Sequence, residues 1–135
     1  MSEPLISIII PVLNGESFME RCFATLDAQT YSNLEIIFID NGSTDTSLKM
    51  IKSYCSRKPK SRVLHCNKKG PAAARNAGLR QADGDYLSFL DVDDEIHPDK
   101  HIILMTALQE YSQAGMSVGW TEKRFEIGNS QLKGL

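Results

Sequence analysis

The sequence predicts an α/β domain: a mostly parallel sheet with helices on both faces. Two observations predict it. Short apolar runs of strand length alternate with segments whose apolar residues recur at helical spacing, through four such pairs. Each strand-like run also ends in a polar turn before the next helix, and such sheets bind ligands beyond the carboxyl ends of their strands. At 135 residues, 41% of them hydrophobic, the chain is long enough for one domain with a real core.

The elements follow in order. Leu5 to Pro11 is isoleucine-rich and short, a buried strand. Asn14-Gly15 turns the chain, and residues 16–28 carry Phe18, Met19, Cys22, Phe23 and Leu26 at helical spacing. Leu34 to Asp40 is the second strand. Asn41-Gly42 breaks it, and Ser43, Thr44 and Asp45 are candidate N-caps, with Asp45 assigned to the cap. The next helix puts Leu48, Ile51 and Cys55 on one face, with Tyr54 beside them. Arg62 to Cys66 is a short third strand. Pro71 opens an alanine-rich helix that ends at Ala82-Asp83-Gly84. Asp85 to Asp91 is the fourth strand, and Pro98 opens a last helix to about Ala114. Met116 to Trp120 is a candidate fifth strand, and Thr121 to Leu135 is mixed and carries no firm pattern.

Charge and composition narrow the function classes. A formal charge of -2 offers no global basic field for nucleic acid. The local basic cluster of Arg57, Lys58, Lys60 and Arg62, followed by Lys68 and Lys69, reads as a solvated helix end or as a patch for anionic lipid or phosphate. Three cysteines, Cys22, Cys55 and Cys66, with no CxxC spacing, read as reduced thiols of a cytoplasmic protein. The N-terminus lacks a signal-peptide pattern, and no apolar window is long enough to span a membrane. G-x-G-x-x-G and G-x-S-x-G are both absent.

The chemistry concentrates in the loops after the strands. Asp91-Val92-Asp93-Asp94-Glu95 crowds four carboxylates where a strand meets a loop. Two such groups about 5 Å apart repel by about 3 kcal/mol at an effective dielectric near 20, so something must offset them. A hard cation, magnesium or manganese, prefers carboxylate oxygens, and a D-x-D pair at a strand end points two side chains one way. A helix N-terminus dressed with acids accounts for Glu95 and Asp99 but poorly for Asp91, and it leaves Asp94 open. In the second loop, Asp40 or Asn41 has the hydrogen-bonding capacity to hold a ribose or a base edge. Arg75 suits a phosphate or an orienting partner for an acid, and equally a solvated helix arginine. His97 and His101 read as surface histidines near the helix start, and His65 as structural. A phosphoacceptor signalling domain would want its acids after the first strand, where the chain has Pro-Val-Leu-Asn.

Taken together, the segments ISIIIPVLNGESF, LDAQTYSNLEIIFIDNGSTDTS and GPAAARNAGLRQADGDYLSFLDVDDEIHPDK resemble the family 2 glycosyltransferases of GT-A fold, in order and spacing, over residues 5–101. The resemblance implies a Rossmann-like nucleotide-diphospho-sugar transferase fold over one domain, 1–135, truncated at its C-terminus and divergent over 117–135. It implies a nucleotide-sugar donor, commonly a UDP-sugar, a saccharide or lipid-linked acceptor, and inversion. Pro11, Leu13, Asp40, Asn41, Arg75, Asp91 and Asp93 would form the donor site, with Asp93 and Asp91 at the divalent cation. Leu13 stands where many members have an aromatic residue, and Asn41 where many have a second aspartate. The implied location is the cytoplasm, including the inner face of the membrane, with peripheral membrane association and self-association both allowed.

Family members run well beyond this length, and their acceptor half carries the general base. Glu122 and Glu126 are the late glutamates, and neither lies in a base-like motif. No catalytic base is therefore named. The alternative expectation is a truncated, catalytically incomplete nucleotide-binding or interaction module.

Overall fold

The computed structural model describes residues 2–122. Its elements are β1 Ile6–Val12, α1 Glu16–Asp27, β2 Leu34–Asp40, α2 Ser47–Ser56, β3 Ser61–His65, α3 Pro71–Gln81, β4 Tyr86–Phe89 and α4 Lys100–Glu110. The strands pair in parallel in the order β3-β2-β1-β4. The chain steps outward from β1 to β3, then returns past β1 to lay down β4. That reversal makes a topological switch point between β1 and β4, where a crevice opens at the carboxyl ends.

Strand alternation divides the core into two layers. Ile8, Ile10 and Val12 meet Met19 and Phe23 of α1 and Ile51 and Tyr54 of α2. Ile9, Ile37 and Ile39 meet Ala74 of α3 on the other face. A right-handed crossover run in the reverse direction puts its helix on the opposite face, which accounts for α3. The first layer is tied by aromatic packing: Phe23 stacks on Tyr54 with centroids 4.3 Å apart, and Phe38 meets both edge-on. In the second layer α3 lies close to the sheet. A Cβ added at Gly78 would fall 2.6 Å from Ile9 Cγ2 and 2.8 Å from Ile39 Cδ1. The alanine-rich composition of α3 is thus a packing requirement.

The amino ends of the strands are joined by a polar network. The buried Glu35 carboxylate accepts from Ser7 Oγ, from the Asp83 N–H (2.6 Å) and from Arg62 Nη1 (3.1 Å). Ser7 Oγ in turn accepts from the Gly84 N–H (2.8 Å), and Arg62 also donates to the Gln81 carbonyl. Burial alone would raise the Glu35 pKa, but the donors from Ser7, Asp83 and Arg62 outweigh it and hold it below the usual value.

Several expected boundaries shift. The fourth strand is shorter than Asp85–Asp91, because the Asp94 N–H closes a turn on the Asp91 carbonyl (3.0 Å). It is also an edge strand, with Leu87 and Phe89 exposed on one face. The last helix starts at Lys100 rather than Pro98 and ends at Glu110 rather than Ala114.

A first compact unit runs to Ile102, and a second begins at Ile103. The described part of the second holds the rest of α4, a turn closed by the Ala114 N–H on the Tyr111 carbonyl (2.8 Å), and Ser117 Oγ donating to the Leu104 carbonyl (3.0 Å). Residues 116–120 form no strand, with Met116, Val118 and Trp120 exposed and a glycine on either side of Val118, at 115 and 119. Glu122 lies in irregular chain. Glu126 and the tail beyond Glu122 lie outside the described residues. Among the described residues no helix is long and apolar enough to cross a membrane.

Candidate functional site

The loops at the carboxyl ends of the strands enclose two adjoining clefts. One, of about 380 Å³, is lined by Pro11, Leu13, Asn41, Arg75, Asp91 and Asp93, among others. The other, of about 320 Å³, lies over the ends of β2 and β3 and includes Leu13, Asn14, Asn41, His65 and Lys69. Six of the seven donor-site residues expected from sequence line the first cleft. Asp40 does not line either cleft; its side chain is only 2% exposed.

The acidic loop is built by the turn after β4. Asp91, Asp93 and Asp94 each offer a carboxylate oxygen, all within 4.8 Å of one another and all on exposed residues. Arg75 reaches across from the first turns of α3 and places Nη2 2.6 Å from Asp91 Oδ1. Partial burial, and then the negative charges of Asp93 and Asp91, raise the Asp94 pKa, against the pull of Lys100. Three oxygens of like charge at this spacing fit a hard divalent cation, which would relieve that repulsion. The sequence left Asp94 between two readings, and the turn that closes on Asp91 gathers it into the cluster. Glu95 and Asp99 point elsewhere: Glu95 pairs with Arg21 at 3.2 Å, and Asp99 Oδ1 accepts from Thr30 Oγ1 at 2.8 Å.

The loops after β1 and β2 lock to each other. Asn14, at φ 51°, accepts on Oδ1 from the Thr44 N–H (2.8 Å) and Asp45 N–H (3.3 Å), while its own N–H donates to Ser43 Oγ (3.0 Å). Asp45, expected as a cap for one helix, serves two. Its carboxylate accepts from the Ser47 N–H (2.9 Å) and from the Glu16 N–H (3.1 Å). Glu16 reciprocates by accepting from the Thr46 N–H (2.9 Å) and Oγ1 (2.7 Å). For Asp45, desolvation works upward, but the donors of Ser47 and Glu16 prevail and lower its pKa. Leu13 is thereby presented on a fixed loop, 57% exposed.

Asn41 has a similar tying role. Its Nδ2 donates to the Cys66 and Lys68 carbonyls (3.0 and 2.8 Å), and its Oδ1 accepts from the Gly70 N–H (2.9 Å). The amide therefore fastens the loop after β3, where Gly70 adopts φ 111° before Pro71 opens α3. Beneath it, Asp40 Oδ1 accepts from the Ser43 N–H (3.2 Å), and Oδ2 lies 3.3 Å from His65 Nδ1. His65, which reads from sequence as structural, is the last residue of β3 and stands in register with Asp40 of β2.

The remaining candidates sort differently. His101, expected at the surface, is buried at 2% exposure. Gln29 Nε2 donates to the His97 carbonyl (3.0 Å), so Gln29 Oε1 accepts from His101 Nδ1 (2.7 Å), and His101 Nε2 accepts from Ser88 Oγ (3.0 Å). Burial, and then Lys100, push its pKa down to about 4. The basic cluster is engaged within the chain: Lys58 with Asp27 (2.9 Å), Lys60 with Asn33 (2.9 Å), Arg62 with Glu35 (3.1 Å) and Arg57 with the Ser53 carbonyl (3.4 Å). The cysteines are free, and burial raises Cys22 to about 12.

Comparison with known proteins agrees with this architecture. A family model described as Glycosyl transferase family 2 matches residues 7–133. An uncharacterized glycosyltransferase of Haemophilus influenzae is 45% identical over 101 residues, 74% of this chain and 40% of that protein. The uncharacterized glycosyltransferase YibD of Escherichia coli is 41% identical over 105 residues, 78% of this chain and 30% of that one. The crystal structure of S. aureus TarS 1-349 in complex with UDP superposes with a TM-score of 0.74 at 26% identity, covering 80% of this chain and 33% of that chain. A mannosyltransferase from Pyrobaculum calidifontis, in complex with GDP-Man and Mn2+, shares the fold with a TM-score of 0.65 at 24% identity, over 70% of this chain and 29% of that one. The chain thus spans well under half the length of these relatives.

Proposed function

Because the chain belongs to the glycosyl transferase family 2, we propose that it binds a nucleoside-diphosphate-sugar donor, a UDP-sugar, at the carboxyl ends of β1 and β4. The sugar passes with inversion to a saccharide or lipid-linked acceptor. The observation that carries the reading is the convergence of Asp91, Asp93 and Asp94 within 4.8 Å, beside Arg75, at the switch point of the sheet. Solved relatives described as complexes with UDP or with GDP-Man and Mn2+ support it by analogy.

Each residue has a role its chemistry suits. Asp93 and Asp91 would hold magnesium or manganese, with Asp94 adjoining. Such a cation supplies Lewis-acid neutralisation of a leaving diphosphate. Arg75 orients Asp91 and keeps its remaining donors for a phosphate oxygen. Pro11 and Leu13 form the apolar wall of the nucleoside pocket. Asp40 and Asn41 shape that pocket from beneath, Asn41 by fastening the loop after β3. An inverting transfer also needs a base in reach of the acceptor hydroxyl.

Calorimetric titration of UDP with and without manganese tests the donor site. Manganese-dependent binding that Asp93→Ala weakens by at least about tenfold, roughly 1.4 kcal/mol, is expected. Absence of UDP binding in the presence of manganese, or unchanged affinity in Asp93→Ala, would sink the assignment.

A further inference from the structure

The segment that follows the acidic turn runs beside α1 and is held there residue by residue. Arg21 and Thr25 lie four apart, on one side of α1, and Gln29 continues the line just past its end. These three meet three consecutive residues of the segment in the same order. Arg21 Nε pairs with Glu95 Oε1 at 3.2 Å. Thr25 Oγ1 donates to the Ile96 carbonyl (3.0 Å) and accepts from the Ile96 N–H (2.9 Å). Gln29 Nε2 donates to the His97 carbonyl (3.0 Å), and the Thr30 N–H continues the series on the Pro98 carbonyl (3.0 Å). Before the acids, Val92 lies against the start of the helix, where a Cβ added at Gly15 would fall 3.1 Å from Val92 Cγ1. Val92 and Ile96 both pack on the first core layer. Asp93 and Asp94 thus stand between two points fastened to one helix.

We infer that this polar line on α1 preforms the cation site, with Thr25 as the positioning residue for Asp93 and Asp94. The inference rests on the donor-binding reading above and adds what holds the metal ligands in place. The reason is electrostatic. Three carboxylates within 4.8 Å repel one another, and a turn free to open would let them part. A cation would then have to reorder the turn as it bound, and the cost of that ordering is subtracted from affinity. Thr25 is suited to prevent this, because one hydroxyl closes on both backbone groups of Ile96, two residues beyond Asp94. The apolar side of α1 is occupied elsewhere: Met19, Cys22, Phe23 and Leu26 face the core. The helix therefore has two separate tasks, one side building the core and the other seating the acidic segment.

The test is calorimetry of UDP on the whole chain with manganese present. Thr25→Val keeps the branched shape and removes the hydroxyl, so affinity should fall by at least about fivefold. Thr25→Ser restores the hydroxyl and should return affinity to within about twofold of the wild type. Ser61→Ala is the control for general loosening. It removes another hydroxyl-to-carbonyl bond, from Ser61 Oγ to Lys58 (2.7 Å), at the amino end of β3. Its UDP affinity should stay within about twofold of the wild type. Three results overturn the inference and leave donor binding standing: Thr25→Val binding as the wild type does, Thr25→Ser binding as weakly as Thr25→Val, or Ser61→Ala losing as much as Thr25→Val. If the wild type does not bind UDP with manganese, the donor-binding reading fails and the inference with it. Amide hydrogen exchange of the wild type gives a readout independent of any variant's folding. The Ile96 N–H should be protected before manganese and UDP are added. Exchange at the free-chain rate there, with protection gained only on loading, overturns the preformed site.

Discussion

At the scale of the residue, burial decides chemistry, and burial is what a local pattern conveys least. His101 looks like a helix-start surface histidine, yet it sits neutral between Gln29 and Ser88. Both partners are distant in sequence, so no window around His101 contains them. Its pH consequence has a definite sign. The folded pKa is depressed to about 4 from 6.5. As pH falls through 6.5 the unfolded chain takes up a proton that the native chain refuses until about pH 4. Stability should therefore fall across that window, by up to about 3 kcal/mol, and be unaffected by this group above it. His101→Gln cannot titrate, so its urea midpoint should change less between pH 6.5 and pH 4 than that of the wild type. Equal slopes for the two proteins would refute the account. Asp40 shows the same limit of local reading: its position at the end of β2 was legible, but not that His65 would be its neighbour.

At the scale of the element, local pattern carried nearly everything except ends and edges. The eight elements were legible because short apolar runs rich in β-branched residues alternate with longer segments set off by turn and cap residues. The fourth strand read as longer than it is because its apolar run continues into Leu90, which still donates its N–H to the Ile9 carbonyl (3.1 Å) before the turn. Met116 to Trp120 alternates like a strand but has no pairing partner among the described residues. Helix α3 shows the opposite case, in which propensity misleads. Replacing a mid-helix glycine by alanine ordinarily gains about 1 kcal/mol. At Gly78 the new Cβ would press on the branched Cγ2 of Ile9 at 2.6 Å, an atom that cannot swing away without moving β1. Overpacking of this kind costs about 1–3 kcal/mol. Gly78→Ala should therefore lower the thermal midpoint despite its better helix propensity. A raised midpoint would show that α3 can lift off the sheet without loss.

At the scale of the whole domain, the parallel sheet has two polar ends with opposite electrostatic design. At the amino ends, Glu35 is surrounded by donors from Ser7, Asp83 and Arg62, and its pKa is held down. At the carboxyl ends, Asp91, Asp93 and Asp94 face one another, and the Asp94 pKa is pushed up. One end is satisfied internally; the other is left with a repulsion that a bound cation would relieve. The acids at both ends were visible in the sequence, but which were matched by donors was not, since Ser7, Arg62 and Asp83 come from β1, β3 and the loop after α3. The two ends should then respond oppositely to neutralisation. Glu35→Ala leaves buried donors without an acceptor and should cost about 2–4 kcal/mol, with UDP affinity unchanged in the protein that remains folded. Its stabilising share is present above the ordinary carboxylate pKa and is lost as pH falls through the lowered value, so the penalty should shrink in acid. Asp93→Ala removes a like charge and should leave metal-free stability equal or higher, while manganese-dependent UDP binding weakens by at least about tenfold. Chemical denaturation of both variants, with and without manganese, reads all of these effects. A destabilised metal-free Asp93→Ala would mean that the acidic turn holds the fold together rather than waiting for a ligand.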